Sequence, residues 1–197
     1  KYVVLALPCG TGSADAFTAD AMLKAASSAH SIYLKTELSS SLTDNFNSLW
    51  TRALNMREEL KLTHFVMMHN DVIPMEANWL DKLIEILEEF DADVVSCIIP
   101  IKDDRGLTST ALDTDPWRPR RITMHEAITE LPETWGMEAI HNIKALEMPF
   151  AAHPTGPLLM NTGLWICRFD APWIEQIAFK IQNETYKDTD GKWKTRF

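Results

Sequence analysis

The sequence has few cysteines, no long apolar run and a shortage of positive charge. Its three cysteines, Cys9, Cys97 and Cys167, form no Cys-x-x-Cys pair, and two of them lie inside apolar runs. Buried structural thiols in a reducing compartment are the simplest interpretation. No apolar run approaches the roughly 18 residues that span a bilayer, and no signal peptide is visible. We therefore expect a cytoplasmic protein with no transmembrane segment.

The charge balance limits the partners of the chain. Lysine and arginine together number 19 against 28 acids, which gives a formal net charge of −9. An acidic chain repels a phosphate backbone, so no nucleic-acid partner is expected. A small anionic substrate remains compatible, because backbone N–H groups and a metal ion can make a local pocket positive. The Gly-Lys-Ser/Thr of a P-loop and the Gly-x-Ser-x-Gly of a nucleophile-elbow hydrolase are also missing, which excludes both classes.

The first 100 residues alternate between apolar runs and helical periodicity. Strands are predicted at residues 2–7, 31–34, 64–68 and 93–99. Helices are predicted between them, beginning after Ser13, covering residues 46–60 and beginning after Asn78. This alternation predicts an α/β fold with a parallel sheet covered on both faces.

The pattern weakens in the second half of the chain. Residues 102–157 contain six prolines with Trp117 and Trp135, and they predict long loops with a short helix near residues 124–130. An apolar strand is predicted at residues 163–167, and a helix from Pro172 through Ile181. The length of 197 residues favours a single domain.

The sharpest functional feature is His69-Asn70-Asp71, which follows the third predicted strand. In open α/β sheets, ligands bind beyond the carboxyl ends of the strands. A carboxylate there can hold Mg²⁺ or Mn²⁺ together with substrate phosphates. Asn-Asp is also common at strand ends for local hydrogen bonding, so spacing alone leaves a metal site and a turn both open.

A wider set of residues resembles family 2 glycosyltransferases and their GT-A relatives. The resemblance is carried by Phe46-Asn47, by residues 63–74 including the histidine motif, and by Trp79-Leu80 and Asp93-Val94-Val95. It implies a nucleotide-binding α/β/α sandwich with a mostly parallel central sheet. Residues 1–100 would be the nucleotide-binding half of one domain spanning residues 1–197, and residues 101–197 the acceptor-side half. It also implies metal-dependent transfer of a sugar from a nucleoside diphosphate, with a UDP-sugar favoured, to an acceptor that the sequence does not specify.

The resemblance assigns roles to particular residues. In the family a strand ends in Asp-x-Asp, whose acids hold the donor diphosphate through Mn²⁺ or Mg²⁺. Asp71 stands at the last acid of that motif, and His69 stands at the first, where an imidazole replaces the carboxylate. The implied nucleotide-contacting positions are Pro8, Cys9, Gly10, Thr11, Glu37, Ser39, Asn47 and Asn70, although Asn47 lacks the arginine that precedes it in the family. Asn161 and Thr162 fall on the acceptor side, where a polar turn that enters the last strand is an equally good interpretation.

Two further residues are candidates from their surroundings. His153, between Ala152 and Pro154, is a candidate metal contact, although a lone histidine is more often structural. Trp117 precedes several arginines and is a candidate substrate contact, although a solvated charged loop is the favoured interpretation.

Departures from the family pattern leave alternatives open. The family's acidic pair, which carries the catalytic base, is not evident before residue 197, so the base lies beyond it or the enzyme is retaining and needs none of that kind. The missing acids also suit a non-catalytic nucleotide-sugar binding domain. Gly10-x-Gly12 with Glu37 is a partial fingerprint of an NAD-dependent oxidoreductase, but Asp15 replaces the third glycine. A sugar nucleotidylyltransferase would carry Arg and Lys in the first loop, and residues 8–23 contain neither.

Overall fold

The computed structural model describes residues 1–127, 152–153 and 156–196, apart from residues 11, 12, 14, 75 and 116. Its helices and strands are, in chain order, β1 (Tyr2–Cys9), α1 (Ala16–Ala26), β2 (Ser31–Leu38), α2 (Leu42–Leu60), β3 (His64–Met68), α3 (Trp79–Glu89), β4 (Val94–Ser96), β5 (Leu107–Leu112), β6 (Arg120–Thr123), β7 (Ala152–His153), β8 (Gly156–Leu159), β9 (Leu164–Arg168), β10 (Glu184–Lys187) and β11 (Trp193–Arg196). In the part of the chain that is described, no helix is long and apolar enough to cross a membrane.

The central sheet has five strands in the order β2-β1-β3-β9-β4. β1 is parallel to both β2 and β3, as the alternating pattern predicts, because α1 and α2 provide the crossovers that parallel neighbours require. β9 instead runs antiparallel to both β3 and β4. The α/β class is therefore confirmed, but the sheet is mixed, and the prediction of a parallel sheet fails at β9.

Both faces of this sheet are covered by apolar side chains. Val3, Leu5 and Leu7 of β1 pack in a cluster with α1 and α3, and Val4 and Ala6 pack in a second cluster with α2. The alternation follows from the two-residue period of a strand. Because the strand interior is buried on both sides, polar residues can meet only at the ends of the strands.

The second half of the chain contains more regular structure than the sequence predicts. β6, β5, β8 and β7 form a four-stranded sheet, and β10 pairs with β11 in a separate hairpin. Three of these strands, β5, β6 and β7, fall where the sequence predicts loops. β5 contains Thr108, a buried residue whose hydroxyl donates to the Ile122 carbonyl (2.8 Å). A buried polar residue of this kind interrupts the apolar pattern by which a strand is predicted, so β5 is not visible in the sequence. Residues 124–127 are helical, and the rest of the predicted short helix lies outside the described residues.

The predicted helix from Pro172 through Ile181 is wrong. Only a single 3-10 turn, Ile174–Gln176, forms there, and the chain then continues without helix to β10. Ile174 is buried, whereas 63% of Ile181 is exposed, so the apolar residues do not lie on one buried face. The segment is held instead by α2, where the indole of Trp50 donates to the Ile174 carbonyl (3.0 Å).

Candidate functional site

The polar segments that follow β1, β2 and β3 meet at one edge of the central sheet. In the parallel register Cys9 lies opposite Leu38, and Ala6 lies opposite Met67. β9 runs in the opposite direction, so its first residues lie at this same edge, where the His69 N–H donates to the Gly163 carbonyl (2.8 Å). Residues 8–10, 37–39, 69–71 and 161–163, all selected from the sequence, therefore lie along one edge.

A cleft of about 380 Å³ opens beside the ends of β1 and β2. It is lined by Leu7, Cys9, Met22, Leu34, Thr36, Glu37, Leu38 and Arg52. Glu37 accepts a hydrogen bond from the Ser48 hydroxyl (2.9 Å) and forms an ion pair with Arg52 Nη1 (2.9 Å). The walls of the cleft are thus largely apolar, and the charges of Glu37 and Arg52 cancel each other. Such a cleft suits a flat organic group with a polar edge.

Asn45 links the ends of β1 and β2 and is not among the residues predicted from the sequence. Only 1% of Asn45 is exposed, and its Nδ2 donates to the carbonyls of Cys9 (3.4 Å) and Ser39 (3.0 Å). Its Oδ1 is buried and has no hydrogen-bond partner among the described residues. The available signal was an asparagine within the apolar stripe of α2, four residues before the fully buried Leu49.

The side chain of Asn47, for which the resemblance implies a nucleotide contact, is hydrogen-bonded within the protein. Its Nδ2 donates to the carbonyl of Phe179 and its Oδ1 accepts from the N–H of Phe179, both at 2.9 Å. Both ends of the amide are therefore used to hold residues after the 3-10 turn against α2. We assign Asn47 to the architecture of the fold.

The turn after β3 combines a half-buried imidazole with an exposed carboxylate. The His69 ring packs against Phe46 with centroids 5.3 Å apart, and its Nε2 is buried without a partner among the described residues. Burial lowers the pKa of His69, and the negative charge of Asp71 opposes that effect, so the imidazole is neutral at pH 7. The Asp71 side chain is 57% exposed, and its Oδ2 lies 3.2 Å from Lys102 Nζ.

Hydrogen bonds join this turn to the beginning of α1. Thr18 is fully buried, and its hydroxyl lies 2.7 Å from the Asn70 carbonyl and 3.0 Å from Asp15 Oδ1. Asp15, and not the predicted Ser13, caps α1 by accepting the Thr18 N–H (2.7 Å). The Asn70 amide donates to the Ser13 carbonyl (3.3 Å), so Asn70 contributes to this junction from both side chain and backbone.

Asn161 closes the turn that enters β9. Its Nδ2 donates to the Cys97 carbonyl (3.0 Å), and its Oδ1 accepts from the Gly163 N–H (2.8 Å). A Cβ on Gly163 would approach Ile99 Cδ1 to 2.9 Å and Val72 Cγ2 to 3.3 Å, so glycine permits the close approach of the loops here. Thr162, which stands between Asn161 and Gly163 in the chain, is half-buried and lies at the same edge of the sheet.

The remaining predicted residues are less closely associated with this edge. Trp117 carries the Arg196 guanidinium over its ring at 4.4 Å and so contacts the β10–β11 hairpin. The backbone of His153 pairs with Gly156 between β7 and β8, and its side chain lies outside what is described. Pro8 and Gly10 lie at the end of β1 and just after it, and Thr11 lies outside the described residues.

A metal would find two suitable ligands here. Among the described residues, no group of three or more His, Cys, Asp or Glu side chains could hold a metal ion. Asp71 offers an exposed carboxylate, and His69 offers a neutral imidazole with an unpartnered buried nitrogen. Mg²⁺ is commonly held by one or two carboxylates together with substrate phosphates. These two side chains do not form a complete protein cage, so a cation at this turn would need further ligands such as phosphate oxygens.

Comparisons with known proteins bear on the fold alone. No family model and no curated protein matches the sequence. Among solved structures the chain is similar to protein A197 from STIV, with a TM-score of 0.51 and 13% sequence identity. The similarity covers 90% of this chain and 69% of that one. At this identity it shows a shared α/β architecture over most of the chain.

Proposed function

We propose that the protein is a metal-dependent glycosyltransferase of the GT-A kind, which transfers a sugar from a nucleoside-diphosphate donor to an acceptor. The main support is that the cleft beside Cys9 and Glu37 and the turn that carries Asp71 lie at the same edge of the sheet. Ligands of open α/β sheets bind beyond the strand ends. The free cysteines are compatible with the cytoplasmic location that the sequence predicts.

The cleft would hold the nucleoside of the donor, with a uridine nucleotide favoured. Leu34 and Leu38 line it and are 46% and 61% exposed, so a bound base would remove apolar surface from water. The carboxylate of Glu37, already oriented by Arg52, offers a hydrogen-bond acceptor for an N–H on the edge of the base. Asn45 would keep the two strand ends at a fixed separation.

The turn after β3 would hold the diphosphate end of the donor. Asp71 and His69 are the residues that would hold Mn²⁺ or Mg²⁺. When bound, such a cation neutralises the charge that develops on a leaving nucleoside diphosphate. His69 remains neutral and so does not repel the cation, while Thr18 and Asn70 keep the turn in position against α1. Thr162, at the same edge, is our candidate on the acceptor side.

Calorimetry with UDP tests this proposal. We expect binding in the presence of Mn²⁺ and a strong loss of binding in EDTA. Asp71→Asn should lose the metal-dependent binding and keep the wild-type melting temperature, because an exposed ion pair contributes at most about 1 kcal/mol to stability. Asp104→Asn, in the exposed loop between β4 and β5, removes the same charge outside the turn and should bind as wild type.

Three outcomes would contradict it. Equal UDP affinity in EDTA would remove the metal from the proposal. Unchanged affinity in Asp71→Asn would mean that Asp71 only forms a turn. Tight NADH binding would favour an oxidoreductase, which the structure disfavours because the Asp15 carboxylate occupies the α1 N-terminus where a pyrophosphate would bind.

A non-catalytic nucleotide-sugar binding domain is the second candidate. The observation in its favour is that the described ranges contain no group of three or more His, Cys, Asp or Glu side chains that could hold a metal ion. The release of UDP from a panel of UDP-sugars, measured with and without a mixture of sugar acceptors, separates the two candidates. Metal-dependent binding with no UDP release under any condition would support the binding domain.

A further inference from the structure

One lysine from a distant part of the sequence lies beside the acidic turn. Lys102 belongs to the loop between β4 and β5, and its Nζ lies 3.2 Å from Asp71 Oδ2. Hydrogen bonds from Thr18 hold the pKa of Asp15 below its usual range, and the charge of Lys102 adds to that effect. The ammonium group is therefore in direct contact with Asp71, the acid of the β3 turn.

The rest of this edge has little positive charge to offer an anionic ligand. Residues 8–23, which include the loop after β1 and most of α1, contain no lysine or arginine. Lys24, at the far end of α1, pairs with Asp20 (2.6 Å), and Arg52 in the cleft pairs with Glu37 (2.9 Å). Lys102 is thus the basic side chain that the described residues bring to the β3 turn.

The loop is fixed while its lysine can move. Ile101 donates its N–H to the Leu107 carbonyl (2.8 Å), and Pro100 forms an isolated bridge with Thr108, so the backbone just before Lys102 is anchored to β5. The Lys102 side chain is itself 70% exposed. An ion pair this exposed is weak, so the ammonium can exchange Asp71 for another anion at little cost. Lysine binds phosphate as a mobile point charge.

We propose that Lys102 binds the phosphates of the donor. In the free protein its ammonium group neutralises Asp71, and in the complex it pairs with diphosphate oxygens and leaves Asp71 to the metal. This inference rests on the proposed function, since it requires a nucleoside diphosphate at this edge of the sheet.

The test compares two affinities across four proteins: wild type, Lys102→Gln, Lys102→Arg and the control Lys82→Gln. Lys82 is an exposed lysine of α3 that pairs with Glu76. UDP affinity is measured calorimetrically at saturating Mn²⁺ and constant ionic strength. Mn²⁺ affinity without nucleotide is measured from the electron paramagnetic resonance signal of the free ion.

We expect Lys102→Gln to weaken UDP binding about tenfold, the loss typical of one charged hydrogen bond. Lys102→Arg should retain most of the affinity, and Lys82→Gln should match wild type. Mn²⁺ alone should bind Lys102→Gln at least as tightly as wild type, because an ammonium group cannot coordinate the metal and its removal frees Asp71.

Two results would overturn the assignment of Lys102 while leaving the proposed function intact. One is UDP affinity in Lys102→Gln equal to wild type. The other is an equal loss of UDP and Mn²⁺ affinity, which would mean that Lys102 only orients Asp71. If wild type with Mn²⁺ fails to bind UDP at all, the proposed function is wrong and this inference falls with it.

Discussion

Replacing Asn47 with alanine tests a contact that the structure shows and the sequence does not predict. The amide of Asn47 and the backbone of Phe179 exchange two hydrogen bonds, both 2.9 Å long. The Phe179 ring in turn contacts Phe46, with centroids 5.1 Å apart, and Trp50, with centroids 6.1 Å apart. Asn47→Ala therefore removes the clamp on residues that complete an aromatic cluster over α2.

The expected loss of stability follows from these contacts. Two net hydrogen bonds contribute about 2 kcal/mol together, and the better helix propensity of alanine returns about 0.6 kcal/mol. The free energy of unfolding should fall by about 1.4 kcal/mol, and the melting temperature by about 3–6 °C for a chain of this size. Asn55→Ala is the matched control: Asn55 is exposed on the same helix and gains the same propensity without losing these bonds.

Urea denaturation followed by tryptophan fluorescence measures the difference, and hydrogen exchange locates it. Asn47→Ala should be about 2 kcal/mol less stable than Asn55→Ala, with faster exchange confined to the Phe179 segment. Equal stability of the two variants would refute the reasoning. If stability were equal while UDP affinity fell only in Asn47→Ala, the nucleotide contact that the resemblance implies would be the correct role.

Three other predictions follow from single contacts. Thr18→Val should cost about 1–3 kcal/mol in denaturation experiments, because it leaves the Asn70 carbonyl without its hydroxyl partner, and Thr18→Ser should cost less. Gly163→Ala should cost about 1–3 kcal/mol, and adding Ile99→Val should recover part of that loss by removing Cδ1, only 2.9 Å from the new Cβ; strictly additive costs would contradict the contact. Burial lowers the pKa of His64 from 6.5 to about 4, so the unfolded chain takes up the proton first, and stability should fall as the pH drops from 6.5 towards 4. His64→Gln should reduce that slope, and an unchanged slope would mean that His64 is not buried in its neutral form.

Much of the candidate site could be predicted because strand ends are visible in a sequence. The apolar run of β3 stops at Met68, and the polar residues that follow must lie outside the core. The same reasoning located the residues after β1 and β2. The roles of Asn45, Thr18 and Lys102 were not predicted. Each of these side chains bonds to a backbone carbonyl or a carboxylate that is far away in the sequence, and nothing in their local spacing identifies those partners.

The sequence by itself determined the α/β class, the positions of the first strands and helices, and the segments that end at one edge of the sheet. Those features depend on the short-range spacing of apolar residues, because the side chains that face the core recur with a different period in a strand and in a helix. Only the tertiary structure decided the direction of β9, because an apolar strand buried on both faces has the same pattern whichever way it runs. The tertiary structure also decided that Asn47 bonds to Phe179 and that Lys102 pairs with Asp71. A polar side chain bonds to the partner that folding brings within hydrogen-bonding distance.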